Sequence, residues 1–294
     1  MPKVPDEWNV LSMLEWGTEY FREKGISSPR LSIEWLLADV LDVKRLDLYL
    51  QYDRPLSSTE LDRIKSGILR RARHEPLQYI VGHTDFMNAR ITVTPDVLIP
   101  RPETEQLIEI ILEQNKPGEK KRALDIGTGS GCIPIALKME RPSWDVYGLD
   151  ISMSALDIAR ANAERNHVVV TFFQKDIQDH ENLPESDHGL FDLIVSNPPY
   201  ITPEEKETLD KEVRDFEPEQ ALFHTDIFSI FRDIISFAES HLKPGGILYL
   251  EINESYGSPL TELFDRHVWE VDLKQDYGNK DRFIIAHRGS FKVN

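Results

Sequence analysis

The run Ala123-Leu124-Asp125-Ile126, continuing without a break into Gly127-Thr128-Gly129-Ser130-Gly131, constrains this chain more than any other stretch. A short, nearly continuous apolar run predicts a strand buried on both faces. The glycines after it permit positive φ and let a ligand approach the backbone closely. A helix from Cys132 to Met139 follows, and its first N–H groups face the same point. The alternation then repeats. A strand Val146–Leu149 ends at Asp150, a helix runs from Ser154 to Asn166 with Ser152 or Ser154 as its cap, and a strand Val168–Gln174 ends at Asp176. Strand Phe191–Ser196, helix Ile227–His241, a turn at Lys243-Pro244-Gly245-Gly246 and strand Ile247–Glu251 come next, with late strands at Trp269–Val271 and Phe283–Ala286. Strands alternating with helices predict an α/β fold with a mostly parallel sheet.

The first part of the chain follows a different rule. Residues 1–78 carry helical spacing and few strand signals. Leu11, Leu14, Tyr20 and Phe21 outline a first helix, and Ser28 and Pro29 open a second that carries Ile33, Leu36, Leu37, Val40 and Leu41. A short segment, Arg45–Leu50, precedes a capping box, Ser57 with Glu60. The helix after it turns Leu61, Ile64, Ile68, Leu69 and Ala72 inward and sets Arg63, Lys65, Arg70, Arg71, Arg73 and His74 on its other face. That basic face is either a solvated surface or a patch for a partner. Residues 79–97 alternate turn signals with short β-prone runs and read as a connector, with a hairpin through Asn88-Ala89. The α/β domain then spans 98–294, and a polar insertion at 178–189 interrupts it before strand Phe191–Ser196.

The formal net charge of −17 weighs against nonspecific nucleic-acid binding, which needs a basic surface. No stretch approaches the length of a membrane span, and the first residues lack the apolar core of a signal peptide. A single cysteine, Cys132, excludes an internal disulfide, and cytoplasmic location is the default. The histidines and the cysteine show no metal-ligand spacing, so no metal is expected.

A glycine turn followed roughly 20 residues later by a strand-ending acid places Asp150 where a carboxylate takes both hydroxyls of a ribose. A dinucleotide would need the spacing G-x-G-x-x-G, whereas this chain has G-x-G-x-G. S-adenosylmethionine has the ribose and adenine but no phosphate. Asp176 can reach the adenine amino group, with Ile177 packing on the ring, or can simply cap its loop.

Asn197-Pro198-Pro199-Tyr200 follows strand Phe191–Ser196 directly. Neither proline has an N–H, so sheet pairing stops there. Each proline also pushes its predecessor into an extended conformation, which stiffens Asn197 and Pro198. The Asn197 side-chain oxygen and the Pro198 carbonyl then form a rigid pair of acceptors. Tyr200 adds a flat wall with a polar tip. Such a site suits an NH2 group on a planar system.

Asp125-Ile-Gly-Thr-Gly-Ser-Gly131, Asp150 and Asn197-Pro-Pro-Tyr200 together resemble the class I S-adenosylmethionine-dependent methyltransferases that act on planar NH2 groups. Further segments narrow the resemblance: Glu75–Gly82, Leu98–Glu105, Val213–Pro218 with Ala221-Leu222, and Asp276-Tyr277-Gly278 leading to Asp281-Arg282. With the helical first domain, they are similar to the peptide chain release factor glutamine methyltransferases, the PrmC/HemK family. The resemblance covers essentially the whole chain. It implies a Rossmann-like, mostly parallel seven-stranded sheet, a small all-helical N-terminal domain that helps hold the protein substrate, and a β-hairpin linker. It implies methyl transfer to the N5 nitrogen of the glutamine in the Gly-Gly-Gln motif of class 1 release factors, giving S-adenosylhomocysteine. It assigns cofactor contacts to Gly127, Thr128, Gly129, Ser130, Gly131, Asp150, Asp176, Ile177 and Asn197, and substrate contacts to Asn197, Pro198, Pro199 and Tyr200. For Asp125 it suggests the cofactor's amino end, although burial beside the turn amides explains that acid equally well. The competing readings are an N6-adenine nucleic-acid methyltransferase, a ribosomal-protein glutamine methyltransferase, and a dehydrogenase or nucleotide-binding module. The acidic charge disfavours the first, the glycine spacing the dehydrogenase, and the intact Asn-Pro-Pro-Tyr a non-catalytic module.

Overall fold

The computed structural model describes residues 2–178 and 190–289, so the 178–189 insertion lies, but for its first residue, outside the described residues. Contacts divide the chain into two compact units. The smaller comprises residues 1–83 together with Leu209–Phe216, and the larger Thr84–Thr208 and Glu217–Asn294.

The smaller unit is built from α1 (Val10–Glu23), α2 (Pro29–Leu41), α3 (Ser58–Arg71) and α4 (Leu77–Val81), with a 3-10 segment at Arg45–Leu50. The capping box at Ser57 and Glu60 forms. Ser28 precedes α2 as expected, but its backbone is left-handed and its side chain makes no capping bond; Pro29 alone presets the first turn. Val10, Leu14, Phe21, Ile33, Leu37, Leu48 and Ile64 are fully buried in this unit's core. The basic helix departs from a uniform solvated face. Arg71 is buried, and its Nη2 lies 2.6 Å from Glu212 Oε1, while Nη1 donates to the Glu75 carbonyl. Arg70 pairs with Glu75 and Arg63 donates to the Val40 carbonyl. Three of the six basic residues of that face thus bind within their own unit.

β1 (His83–Phe86) and β2 (Ala89–Thr92) open the larger unit as a hairpin; it turns at Met87-Asn88, with Met87 at φ +50°, one residue before the expected Asn88-Ala89, because Ala89 is already paired in β2. Then follow α5 (Pro102–Gln114), β3 (Arg122–Ile126), α6 (Cys132–Glu140), β4 (Asp145–Asp150), α7 (Met153–Arg165), β5 (Thr171–Gln174) and β6 (Phe191–Ser196). The short α8 (Lys211–Phe216) belongs to the smaller unit. After it come α9 (Glu219–Leu222), α10 (Ile227–His241), β7 (Leu242–Glu251), α11 (Gly257–Thr261), β8 (Trp269–Gln275) and β9 (Asp281–Arg288). The Lys243–Gly246 turn is drawn into the start of β7, where the pairing with β6 shifts register.

The seven strands lie in the order β5-β4-β3-β6-β7-β9-β8. All adjacent pairs from β5 to β7 are parallel, and β9 runs antiparallel to both its neighbours. The expected mostly parallel seven-stranded sheet is therefore present. The order reverses between β3 and β6, and in such sheets ligands bind outside the carboxyl ends of the strands at that switch point. Ile227, Phe231, Ile234 and Ala238 of α10 share one buried core with Leu124, Ile194, Leu248 and Leu250 of the sheet.

Candidate active site

The switch point is assembled by strand register. Ile126 of β3 sits beside Ser196 of β6 and beside Leu149 of β4, so Gly127, Asn197 and Asp150 emerge at one level of the same edge. Ser196 Oγ donates to the Ile126 carbonyl at 2.8 Å and ties the two strand ends together. The chain then turns because Gly127 N and Thr128 N both donate to the Leu149 carbonyl, each at 2.9 Å. Gly129 has φ +51°, and a Cβ there would meet nothing within 4 Å, so its backbone is open to a ligand. Asn162, fully buried on α7, fixes the turn from behind. Its amide donates to the Ser130 and Thr92 carbonyls and accepts from Thr92 N, which joins the hairpin to the glycine turn.

Asp150 braces the same turn. Its Oδ2 accepts from Gly129 N at 2.8 Å and its Oδ1 from Ser152 N at 2.9 Å. Each oxygen keeps lone-pair capacity for a further donor. Asp125 is 1 % exposed; among the described residues neither of its oxygens nor the buried Thr128 hydroxyl makes a hydrogen bond of good geometry, though these two groups are close enough to interact. Burial drives the Asp125 carboxyl up to about 7; the Asp150 charge adds to the rise and the neighbouring Thr128 hydroxyl opposes it. A buried, unpartnered carboxylate is costly. These orphaned atoms fit a cationic, hydrogen-bonding group such as the amino end of an amino-acid ligand. Asp176 is exposed beyond β5, with Oδ1 accepting from Gln178 N at 2.9 Å. Ile177 belongs to the core with Leu149, Phe173 and Ile194, so it offers a ligand only an edge.

Beyond β6 the Asn197-Pro198-Pro199-Tyr200 stretch is held at both ends. Downstream, Ile201 N donates to the Leu222 carbonyl and His224 N to the Ile201 carbonyl. Upstream, Asn197 Nδ2 donates to Thr104 Oγ1 at 3.2 Å, and Thr104 Oγ1 donates to Glu251 Oε2 at 2.7 Å. The Tyr200 hydroxyl donates to Glu251 Oε1 at 3.2 Å. Burial, and then the Glu251 charge, raise the Tyr200 phenol above its ordinary value, so it stays neutral. Burial also raises the Glu251 carboxyl, against the pull of the Thr104 and Tyr200 hydrogen bonds. A second buried acid, Glu217, accepts from Ile99 N at 3.2 Å and from Arg101 Nη2 at 2.6 Å. It therefore links the Val213–Pro218 and Leu98–Glu105 segments, which the sequence reading connected only through resemblance.

Of the sequence-predicted residues, register brings the glycine turn, Asp150 and Asn197 together at this edge, whereas Asp176 lies exposed beyond β5 and Ile177 packs in the core. Thr104, Glu251, Asn162 and Glu217 were not among them. Glu251 carried a readable signal: it is the acid ending an apolar strand, as Asp150 is, and β7 lies next to β6 with Leu250 beside Ser196.

The strand order and the motifs on its carboxyl edge make the larger unit a methyltransferase domain. Residues 103–214 match the family described as "Methyltransferase small domain". The hMettl16 catalytic domain, solved in complex with an RNA hairpin, shares this fold at TM-score 0.54 and 16% identity, covering 81% of this chain and 82% of that one. The helical unit narrows the class, since residues 12–82 match the family described as "PrmC N-terminal domain". The release factor glutamine methyltransferase of Geobacter sulfurreducens is 39% identical over 98% of this chain and 100% of its own length. That of Chlorobaculum tepidum is 38% identical over 95% and 98%. The chain belongs to the release factor glutamine methyltransferase family. Among the described residues no helix is long and apolar enough to cross a membrane.

Proposed function

We propose that this protein methylates the side-chain amide nitrogen, N5, of the glutamine in the Gly-Gly-Gln motif of class 1 release factors, using S-adenosylmethionine. The observation that carries the reading is the Asn197 amide. Its nitrogen is engaged by Thr104, so its oxygen is left to accept from an incoming NH2 group. The near-full-length relatives named release factor glutamine methyltransferase support a release factor as the substrate. A cytoplasmic location is the expectation that goes with a translation factor as substrate.

The residues present fit the cofactor. The turn Gly127, Thr128, Gly129, Ser130 and Gly131 would cradle it, Asp150 would take the ribose hydroxyls, Asp176 the adenine amino group, and Asp125 the amino end. Ile177 would contribute the apolar edge beneath the ring, and Asn197 would border the cofactor's reactive end. When bound, S-adenosylmethionine supplies a methyl group already activated as a sulfonium, and this is the hard part of the chemistry.

An amide nitrogen is a poor nucleophile because its lone pair is shared with its carbonyl. The protein's task is to place that nitrogen and to stabilise the positive charge growing on it. Asn197 Oδ1 and the Pro198 carbonyl accept its two N–H bonds, which fixes its direction of approach. Both acceptors are preorganised by the two prolines, so they stabilise the developing charge without rearrangement. Tyr200 packs on the amide plane, and its phenol remains neutral. No group within the motif serves as a base, and the surplus proton leaves after transfer. The helical unit would help hold the release factor.

The test is labelled S-adenosylmethionine with a purified release factor, a ribosomal protein and DNA in parallel. Label should appear on the release factor alone and vanish when its motif glutamine is replaced. Asn197→Ala should lower turnover by about a hundredfold, the scale of losing one preorganised polar contact, while cofactor affinity holds. Label on DNA alone, or equal loss of binding and turnover in Asn197→Ala, would overturn the reading.

A further inference from the structure

Both faces of an asparagine amide have nearly the same shape but opposite hydrogen-bonding character, so a site that uses only the oxygen needs something to forbid the flipped form. We infer that Thr104 and Glu251 are positioning residues that set the polarity of the Asn197 amide. The inference rests on the reading that the Asn197 oxygen receives the substrate N–H.

The argument is a count of protons along a chain. Toward the neighbouring hydroxyls Glu251 stands as the acceptor, its Oε1 accepting from Tyr200 and its Oε2 from Thr104, and the count is made for its carboxylate form. Its Oε2 lies 2.7 Å from Thr104 Oγ1, so the single hydroxyl proton of Thr104 points to Glu251. Thr104 then has only lone pairs left for Asn197, 3.2 Å away, and lone pairs select the NH2 side of the amide. The oxygen is turned the other way. The two groups behind the Asn197 amide are held in place: Thr104 is 2 % exposed on α5 and Glu251 is fully buried at the end of β7. The other carboxylate oxygen accepts from Tyr200, so the same acid also orients the aromatic wall. Around it, Arg282 donates to Asp276 and to the Ile252 carbonyl; burial is the largest influence on the Glu251 carboxyl and raises it, the Thr104 and Tyr200 hydrogen bonds and the Arg282 charge oppose the rise, and Glu103 adds to it. Thr104→Val keeps the shape and removes the proton and lone pairs, so the Asn197 amide loses its only instruction. Thr104→Ser keeps the instruction.

The experiment uses the full chain, with methyl transfer to a purified class 1 release factor as one readout and the NMR signal of the Asn197 side-chain NH2 as the other. That signal is assigned by its absence in Asn197→Ala. Thr104→Val should lower kcat by at least about tenfold, as expected when one acceptor is misaimed, leave S-adenosylmethionine affinity within about twofold, and move the Asn197 NH2 signal. Thr104→Ser should restore both readouts. In the Asn197→Ala background Thr104→Val should have almost no further effect, because the two substitutions remove one function. If Thr104→Val does not fold, Thr104→Ala removes the same hydroxyl with a smaller side chain and is read in the same way. An unmoved NH2 signal, or losses from Thr104 and Asn197 that multiply independently, would overturn the inference. A signal that moves as expected in a protein that methylates no release factor would leave the amide relay standing and remove the function proposed above.

Discussion

Replacing Asp125 with asparagine should make the ligand-free protein more stable at alkaline pH and a poorer binder of its cofactor. The carboxyl is completely buried and its pKa rises from 3.8 to about 7. At 1.36 kcal/mol per unit, a shift of roughly 3 units is worth about 4 kcal/mol. The sign follows from proton counting. Below pH 3.8 the folded and unfolded chains both hold the proton and the group contributes no difference. Between 3.8 and about 7 the unfolded chain releases it while the folded one keeps it, so stability falls as pH rises. Above about 7 the penalty is complete. Asp125→Asn removes that slope, so urea denaturation, followed by hydrogen exchange on peptides of β3 and β6, should show the variant gaining on the parent from pH 5 to pH 8. Cofactor binding has the opposite demand. A cationic amino end needs the ionised carboxylate, so affinity measured by calorimetry should rise about tenfold per pH unit below about 7 and then level off. It should fall again above about pH 8, where an α-amino group loses its own proton. In Asp125→Asn the lower limb should flatten. Wild-type affinity independent of pH between 5.5 and 7.5, together with an unimpaired Asp125→Asn, would refute the assignment of Asp125 to the ligand's amino end.

Two further substitutions test the scaffold. Gly131 has φ +80°, and an added Cβ would lie 3.0 Å from Ala159 Cβ and 3.2 Å from its Cα. Gly131→Ala should therefore cost at least about 1–2 kcal/mol of left-handed strain, read as a lower melting temperature and weaker S-adenosylmethionine binding. Arg71→Met should destabilise the helical unit by about 3 kcal/mol, the lower end for breaking a buried pair, because Glu212 keeps some contact with water. Hydrogen exchange on α2 and α3 should report it, with methyltransferase-unit exchange unchanged.

What could be read in the sequence depended on how far apart the deciding residues lie. The glycine turn was legible because its backbone demand and its ligand chemistry fall within five consecutive residues, and Gly127, Gly129 and Gly131 all adopt positive φ. The Asn-Pro-Pro-Tyr stretch was legible as a strand end for the same local reason, since β6 stops at Ser196. The Ser57–Glu60 capping box formed as local chemistry dictates, but Ser28 did not cap, since its left-handed backbone leaves its side chain without a capping bond. Arg71 looked like one member of a basic face. Its partner Glu212 arrives from a segment beyond the Asn-Pro-Pro-Tyr stretch, which no periodicity in α3 announces. Ile177 looked like a wall for a planar ring, yet sheet packing draws it mostly into the core.

Glu251 shows where such reading runs out and what extends it. Taken alone it is an acid closing an apolar strand, an unremarkable end to β7. Strand order changes its meaning: β6 and β7 are parallel neighbours with Ser196 beside Leu250, so the next residue on each strand is Asn197 and Glu251. The same edge carries Asp125 within β3, Asp150 at the end of β4 and Asp176 beyond β5. Like charges gathered at one edge would repel, but helices that follow parallel strands begin there, and their N-termini favour negative charge. Asp150 shows the compensation directly, accepting from the backbone amides of Gly129 and Ser152, just ahead of α6 and α7. Asp125 has no such amides among the described residues, whereas Glu251 accepts from the hydroxyls of Thr104 and Tyr200 and becomes part of the frame. The division of labour between acids at the same edge therefore follows from which donors the neighbouring elements deliver to each, a property of strand order and register rather than of any motif.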